Sequence, residues 1–333
     1  MINSLKYPSL VAKLKGMKAK NLTKTDIEDL LKQNNLVSVN NILKQKNYHL
    51  SGLEDNFDRI KIENELNKIL IDDIEKIYKY LSSKDKEKLR IYVSEYEIDI
   101  LIRILKKIKL SKIEDSEIQN IELWTERIFK ELKGITRINT INEFLQYADK
   151  TDFKELLEEN LKDKNINDVD LFMLEMKLDI LYFENVFKNI KDASSSKLIK
   201  DKIELTNIIW IYRMKKFYNM ETDEISSNII KTDKQSTLIQ EIIKQNDCEN
   251  IIEILKKSKY KNIFKEDEKY FENYAKRYMY RKYKKIFEQG KYNFSTIIAY
   301  LNLDEILIEN IINIVGGIEY EIDKKLIQEK III

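Results

Sequence analysis

One cysteine, one histidine, one proline and six glycines are all that this 333-residue chain contains of those four residues. Each shortage excludes something. A β-sandwich or barrel needs Gly, Pro or Asn-Gly punctuation every 8–12 residues or so, whereas long helices need almost none, so the composition predicts an all-α fold. A single cysteine, Cys248, has no partner for an internal disulfide. A zinc site made from one Cys, one His and carboxylates departs from the usual ligand sets, which predicts a chain without a metal or other cofactor and a reducing, cytosolic setting. With Gly only at 16, 52, 134, 290, 316 and 317, neither a Walker A loop nor a dinucleotide fingerprint can be written.

The charge is balanced. There are 59 Lys+Arg against 57 Asp+Glu, which is not the excess of a dedicated nucleic-acid binder. No apolar run approaches the roughly 20 residues that span a bilayer, and MINSLKYPSLVAKLKG lacks the continuous apolar core of a signal peptide. The expectation is a soluble protein on the cytoplasmic side, able to sit on something membranous.

Helical periodicity is what the chain has in abundance. From Leu53 to Tyr80, apolar residues fall at Leu53, Phe57, Ile60, Leu66, Leu70, Ile74 and Ile77, the spacing of one amphipathic helix. Further helices are predicted over 84–108, 116–133, 139–148, 151–163, 168–191, 197–218, 236–246, 248–258, 266–289, 294–300 and 303–315. Thr25-Asp26-Ile27-Glu28 reads as a capping box, Asn293 as a helix cap, Ser194-Ser195-Ser196 as a turn and Gly316-Gly317 as a left-handed helix end.

Comparing the chain with itself gives domain boundaries. A pattern of apolar, Glu, apolar, Asp, apolar runs through Leu53-Glu54, Phe57-Asp58 and Ile60. It returns in Leu174-Glu175, Leu178-Asp179 and Leu181, and more loosely in Phe271-Glu272, Ala275-Lys276 and Tyr278. A second pattern follows each copy: Glu97, Ile100-Leu101, Ile104; Glu204, Asn207-Ile208, Ile211; and Leu307, Asn310-Ile311, Ile314. Two ordered blocks recurring at near-equal spacing predict three similar helical units, residues 1–115, 116–213 and 214–333.

Candidate chemistry is thin. In YAKRYMYRKYKK (274–285), aromatics and cations alternate as nucleic-acid binders require. The four-residue spacing of Tyr270, Tyr274 and Tyr278 predicts instead a buried stripe, with Arg277, Arg281, Lys284 and Lys285 facing solvent or another protein. His49 is expected at the surface of a loop. Cys248 has no immediate basic neighbour to activate it. Asp72-Asp73 and Glu158-Glu159 are adjacent in sequence, so on a helix they diverge and make poor acid/base partners.

Several stretches together resemble one family, the C-type subunits of the V/A-type rotary ATPases, equivalent to the d-type subunits of the eukaryotic vacuolar enzyme. Tyr7 to Leu14 with Met17 and LTKTDIEDLL (22–31) is similar to its N-terminal segment, and LEDNFDRI to its long-helix signature. YVSEYEIDILIRIL (92–105) resembles the helix closing its first repeat, FYNMETDEISSNII (217–230) the turn opening its third, and FSTIIAYLNLDEILIENIINIVGG (294–317) its final helix. Two departures concern hydrogen bonding in the closing helices: Ile100 stands where the family usually has the Asn found at Asn207 and Asn310, and the Pro before the final Tyr-Leu helix is absent. The resemblance implies three pseudo-equivalent helical bundles forming a funnel of approximate threefold symmetry. It implies a non-catalytic connector, peripheral on the inner face of the membrane, between rotor shaft subunits of D and F type and the membrane proteolipid ring. No small-molecule substrate and no nucleic acid is implied. The alternative is a helical-repeat adaptor of another complex.

Overall fold

The computed structural model describes residues 6–46, 48, 59–233, 235–264 and 268–333. Among them are α-helices and short 3-10 turns and no strand, so the fold is all-α. In the first third lie α1 (Lys6–Lys18), α2 (Lys24–Leu31), α3 (Leu36–Gln45), α4 (Arg59–Tyr80) and α5 (Ser83–Leu110). There follow α6 (Asp115–Arg127), α7 (Ile141–Ala148), α8 (Lys154–Leu161), α9 (Leu171–Asn189) and α10 (Ala193–Tyr218). The last third holds α11 (Thr222–Ser227), α12 (Thr237–Ile243), α13 (Cys248–Lys257), α14 (Phe271–Gln289), α15 (Phe294–Glu319) and α16 (Lys324–Lys330).

Short polar side chains start many of these helices by taking up amide donors left orphaned in the first turn. Asn35, Asp170, Asp192, Ser236 and Asp247 each accept from a backbone N–H of the helix that follows. Thr23 and Thr140 complete reciprocal capping boxes with Asp26 and Glu143. The box at the start of α2 therefore begins two residues before the predicted Thr25. A carboxylate three residues after Thr23 closes it as a Glu would. The serine run is also not a turn. It forms the first turn of α10, where Asp192 Oδ1 accepts from Ser195 N at 3.0 Å.

The described residues group into two compact units. The first comprises residues 1–83, 114–128 and 280–333. Its centre is α15, with 20 of 26 residues buried, and α1, α2, α3, α4 and α16 pack around it. Of the α4 stripe read from periodicity, Leu66, Leu70, Ile74 and Ile77 lie in this core at 2% exposure or less, while Ile60 is half-buried. α6 lies along α4, held by Asn120 Nδ2 donating to Asn64 Oδ1 at 3.0 Å and by Arg127 straddling Glu75 and Asp72. The helix pair predicted over 294–300 and 303–315 is one continuous helix. Asn302 does not interrupt it, because its amide donates to the Ile298 carbonyl one turn back at 2.7 Å.

The second unit comprises residues 84–113 and 129–279. Here α10 packs on α9, α12 and α13. Tyr182 of α9 donates its hydroxyl to the Tyr92 carbonyl of α5 at 2.9 Å, and Lys202 of α10 reaches Glu95 at 3.1 Å. Arg90 and the buried Glu97 form a bidentate pair at 2.9 and 3.1 Å within α5, and Arg90 also bonds Glu131 and lies 4.5 Å over the Phe129 ring.

Candidate functional site in the closing helices

The residues singled out for catalysis do not converge. His49 lies outside the described residues, as do Leu53, Glu54, Phe57 and Asp58 of the first repeat pattern. Cys248 is half-buried at the start of α13, and burial pushes its thiol up, away from reactivity. Asp72 and Asp73 diverge as expected. Asp72 meets Arg127 at 2.6 Å, whereas Asp73 is buried, takes Lys76 at 2.7 Å and accepts the Tyr300 hydroxyl. Glu158 is half-buried and Glu159 exposed on α8.

The tyrosine stripe is a correction. The buried face of α14 is Phe271, Ala275, Met279, Tyr283 and Phe287, and Tyr270, Tyr274 and Tyr278 flank it half-buried. A phenol keeps its hydroxyl near water, so the register richer in purely apolar side chains takes the core. Tyr270 packs edge-on against Tyr274, and Tyr278 against Tyr260, with ring centroids 6.2 and 5.4 Å apart. Arg281, Lys284 and Lys285 are exposed as predicted, whereas Arg277 is half-buried, 5.7 Å over the Tyr274 ring.

The second repeat pattern is where local geometry recurs. Asn207 is 1% exposed in α10, and its side chain grips one residue from both sides: Nδ2 donates to the Ile230 carbonyl at 2.8 Å and Oδ1 accepts from Ile230 N at 2.9 Å. Asn310, in α15, does the same to Ile332, at 2.8 and 2.9 Å. The clamped residues lie 23 and 22 positions downstream. An amide side chain presents one donor and one acceptor side by side, so it satisfies a peptide unit that a buried extended segment would otherwise leave unpaired.

Each helix carrying this position also ends alike. Ser111, Asn219 and Glu321 have φ of 52°, 48° and 52°, left-handed turns just past α5, α10 and α15, and a further helix follows each. After α15 the turn is a Schellman motif, with Ile322 N donating to Gly317 O at 2.8 Å and Glu321 N to Ile318 O at 3.3 Å. Gly316 and Gly317 are thus not the helix end. They lie inside α15, and a Cβ built on Gly317 would stand 2.2 Å from Ile327 Cδ1, so this glycine lets α16 approach closely. At the first copy Ile100 offers no amide, and α6 runs on for 13 residues where α11 and α16 stop at 6 and 7.

A buried carboxyl pair and a half-buried carboxyl cluster escaped the sequence reading, because Asn21, Asp73 and Glu95 are distant in the chain from the carboxyls they meet. Asp304 in α15 accepts from Asn21, 283 residues away. Burial, then the nearby charge of Asp73, pushes its carboxyl up to about 6. In the second unit Asp179 is pushed up to about 7 by burial and then by Glu95 and Glu175, with Lys202 opposing. Among the described residues, neither cluster is paired with an exposed nucleophile or an activated base.

No described helix is long and apolar enough to cross a membrane. No curated protein matches the chain at a significant level. The family model of the ATP synthase (C/AC39) subunit matches residues 10–330. A match over nearly the whole length means that this chain belongs to the ATP synthase (C/AC39) subunit family, a non-catalytic part of that complex.

Proposed function

We propose that the chain is the rotor connector of a V/A-type ATPase. Three helical units, residues 1–115, 116–213 and 214–333, form a funnel of approximate threefold symmetry that joins the D- and F-type shaft to the proteolipid ring at the cytoplasmic face of the membrane. Rotation of the shaft then turns the ring and drives ion transport. The observation that carries the reading is the recurrence of one device at the second repeat pattern: the long helix bearing it, a left-handed turn and a further helix, after α5, α10 and α15; α14 also ends in a left-handed turn, at Gly290, but bears no copy of the pattern.

Mechanical work sets the demands on such a part. Moving one elementary charge across a membrane is worth about 2.3 kcal/mol per 100 mV, and several ions move per cycle. Exposed salt bridges at roughly 0–1 kcal/mol each slip under such loads, so torque must pass through packed helices with few hinges. A chain with six glycines and one proline meets that requirement.

Affinity purification of the tagged chain from detergent-solubilised membranes tests the reading. Shaft and proteolipid subunits are expected in the same complex, and it should persist in moderate salt. Recovery only in a soluble assembly free of proteolipid would favour the helical-repeat adaptor instead.

A further inference from the structure

In a chain whose charges nearly cancel, two segments carry one sign. Residues 1–25 hold six lysines and no carboxylate, and residues 280–289, the part of α14 in the first unit, hold four Lys and Arg against the single Glu288. The first unit brings them together. Lys15 of α1 lies against Gly290, with Nζ 2.9 Å from where a Cβ would be, and Val11 is within 3.7 Å of the same point. Lys18 feels Lys284 directly: burial and then that like charge hold its ammonium down against the pull of Asp304. Lys13, Lys15, Lys20, Arg281, Lys284 and Lys285 are exposed, and none has an ion-pair partner among the described residues.

Six unneutralised cations in and beside two adjacent helices attract anions, and the surrounding residues narrow the kind. The apolar face of α1, Leu10, Val11, Leu14 and Met17, is spent in the core, so no face remains to enter a bilayer. Tyr283 is buried and Tyr280 half-buried, which leaves Tyr292, 65% exposed just past Gly290, as an isolated open ring and not the series of rings on which successive bases stack. Five of the six cations are lysines, flexible point charges suited to a run of carboxylates and not to planar bidentate readout. We propose that α1 and the 281–285 stretch of α14 form a docking surface for an acidic polypeptide segment, an Asp/Glu-rich helix or loop of another protein in the same complex. The choice of complex supplying that segment rests on the function proposed above; the surface itself does not.

Two arms test it. In the first, the intact chain and a charge-reversed variant, K13E/K15E/R281E/K284E/K285E, are titrated with poly-L-glutamate, with phosphatidylcholine vesicles containing or lacking phosphatidylserine, and with duplex DNA, at low and physiological ionic strength. Poly-L-glutamate should bind best and weaken with salt, and the reversal should cost about tenfold or more. A neutralised variant with Gln at the same five positions should fall between the two, which keeps the test valid if reversal disturbs folding. Equal binding by all three proteins, or stronger binding to vesicles or DNA, overturns the proposal. In the second arm the same variants are assembled with the rotary ATPase. Slower assembly of the reversed variant supports the surface, and undiminished assembly at every ionic strength refutes it. Failure of the unaltered chain to assemble counts against the proposed function alone.

Discussion

Among single residues, Asp179 carries the sharpest consequence. Its carboxyl sits beside Glu95 and Glu175 in helix packing and is raised to about 7 from the ordinary 3.8. A folded-state pKa above the unfolded one means that the native state holds the proton more tightly. The penalty for charging the group is therefore absent below about pH 4 and fully developed above about pH 7. Asp179→Asn removes the charge while keeping the shape. The variant should be more stable than the parent by about 1–3 kcal/mol at pH 8, and that advantage should shrink as the pH falls to 5. Urea midpoints of both proteins across that range measure it. A constant difference would mean that Asp179 is well solvated and titrates as an ordinary carboxylate in the native state.

At the level of elements, α15 shows what sequence reading reached and where it stopped. Periodicity located the long helices, and of the apolar positions in the second copy of the repeat pattern Leu174 and Leu178 are buried in α9 while Leu181 is half-buried. Residues 301–302 are expected to separate two helices, whereas Asn302 and Asp304 both lie inside one. Their partners, Ile298 O and Asn21, are visible only in three dimensions. The glycine pair misled for a related reason: glycine serves both left-handed turns and close packing, and only the position of Ile327 tells them apart. The two glycines should therefore respond oppositely. Gly317→Ala drives a methyl into Ile327 and should cost about 1–3 kcal/mol, whereas at Gly316 the nearest atom is Arg59 Cδ at 3.6 Å. There Ala fits, and better helix propensity should add about 0.5–1 kcal/mol. Thermal melts of the two variants check the signs. Equal destabilisation would place the close approach of α16 elsewhere.

For the whole molecule, the chain returns at its end to the helices with which it starts, since α15 and α16 pack with α2 in the first unit. Residues 320–333 contribute little length but three buried side chains, Ile327, Ile331 and Ile332. At roughly 1.5–3 kcal/mol per fully buried aliphatic side chain, their removal takes away on the order of 5 kcal/mol, comparable to the stability of an ordinary domain. It also strands both hydrogen-bonding groups of the Asn310 amide, each of which costs about 1–3 kcal/mol when buried unpaired. A chain ending at Glu319 should consequently lose amide protection along α15 by tenfold or more in hydrogen exchange, with α2 and α4 following. Protection in α10, whose Asn207 clamp on Ile230 is intact in the second unit, should hold. If α10 loses protection to the same extent, the two compact units unfold as one, and the C-terminal segment secures the entire chain.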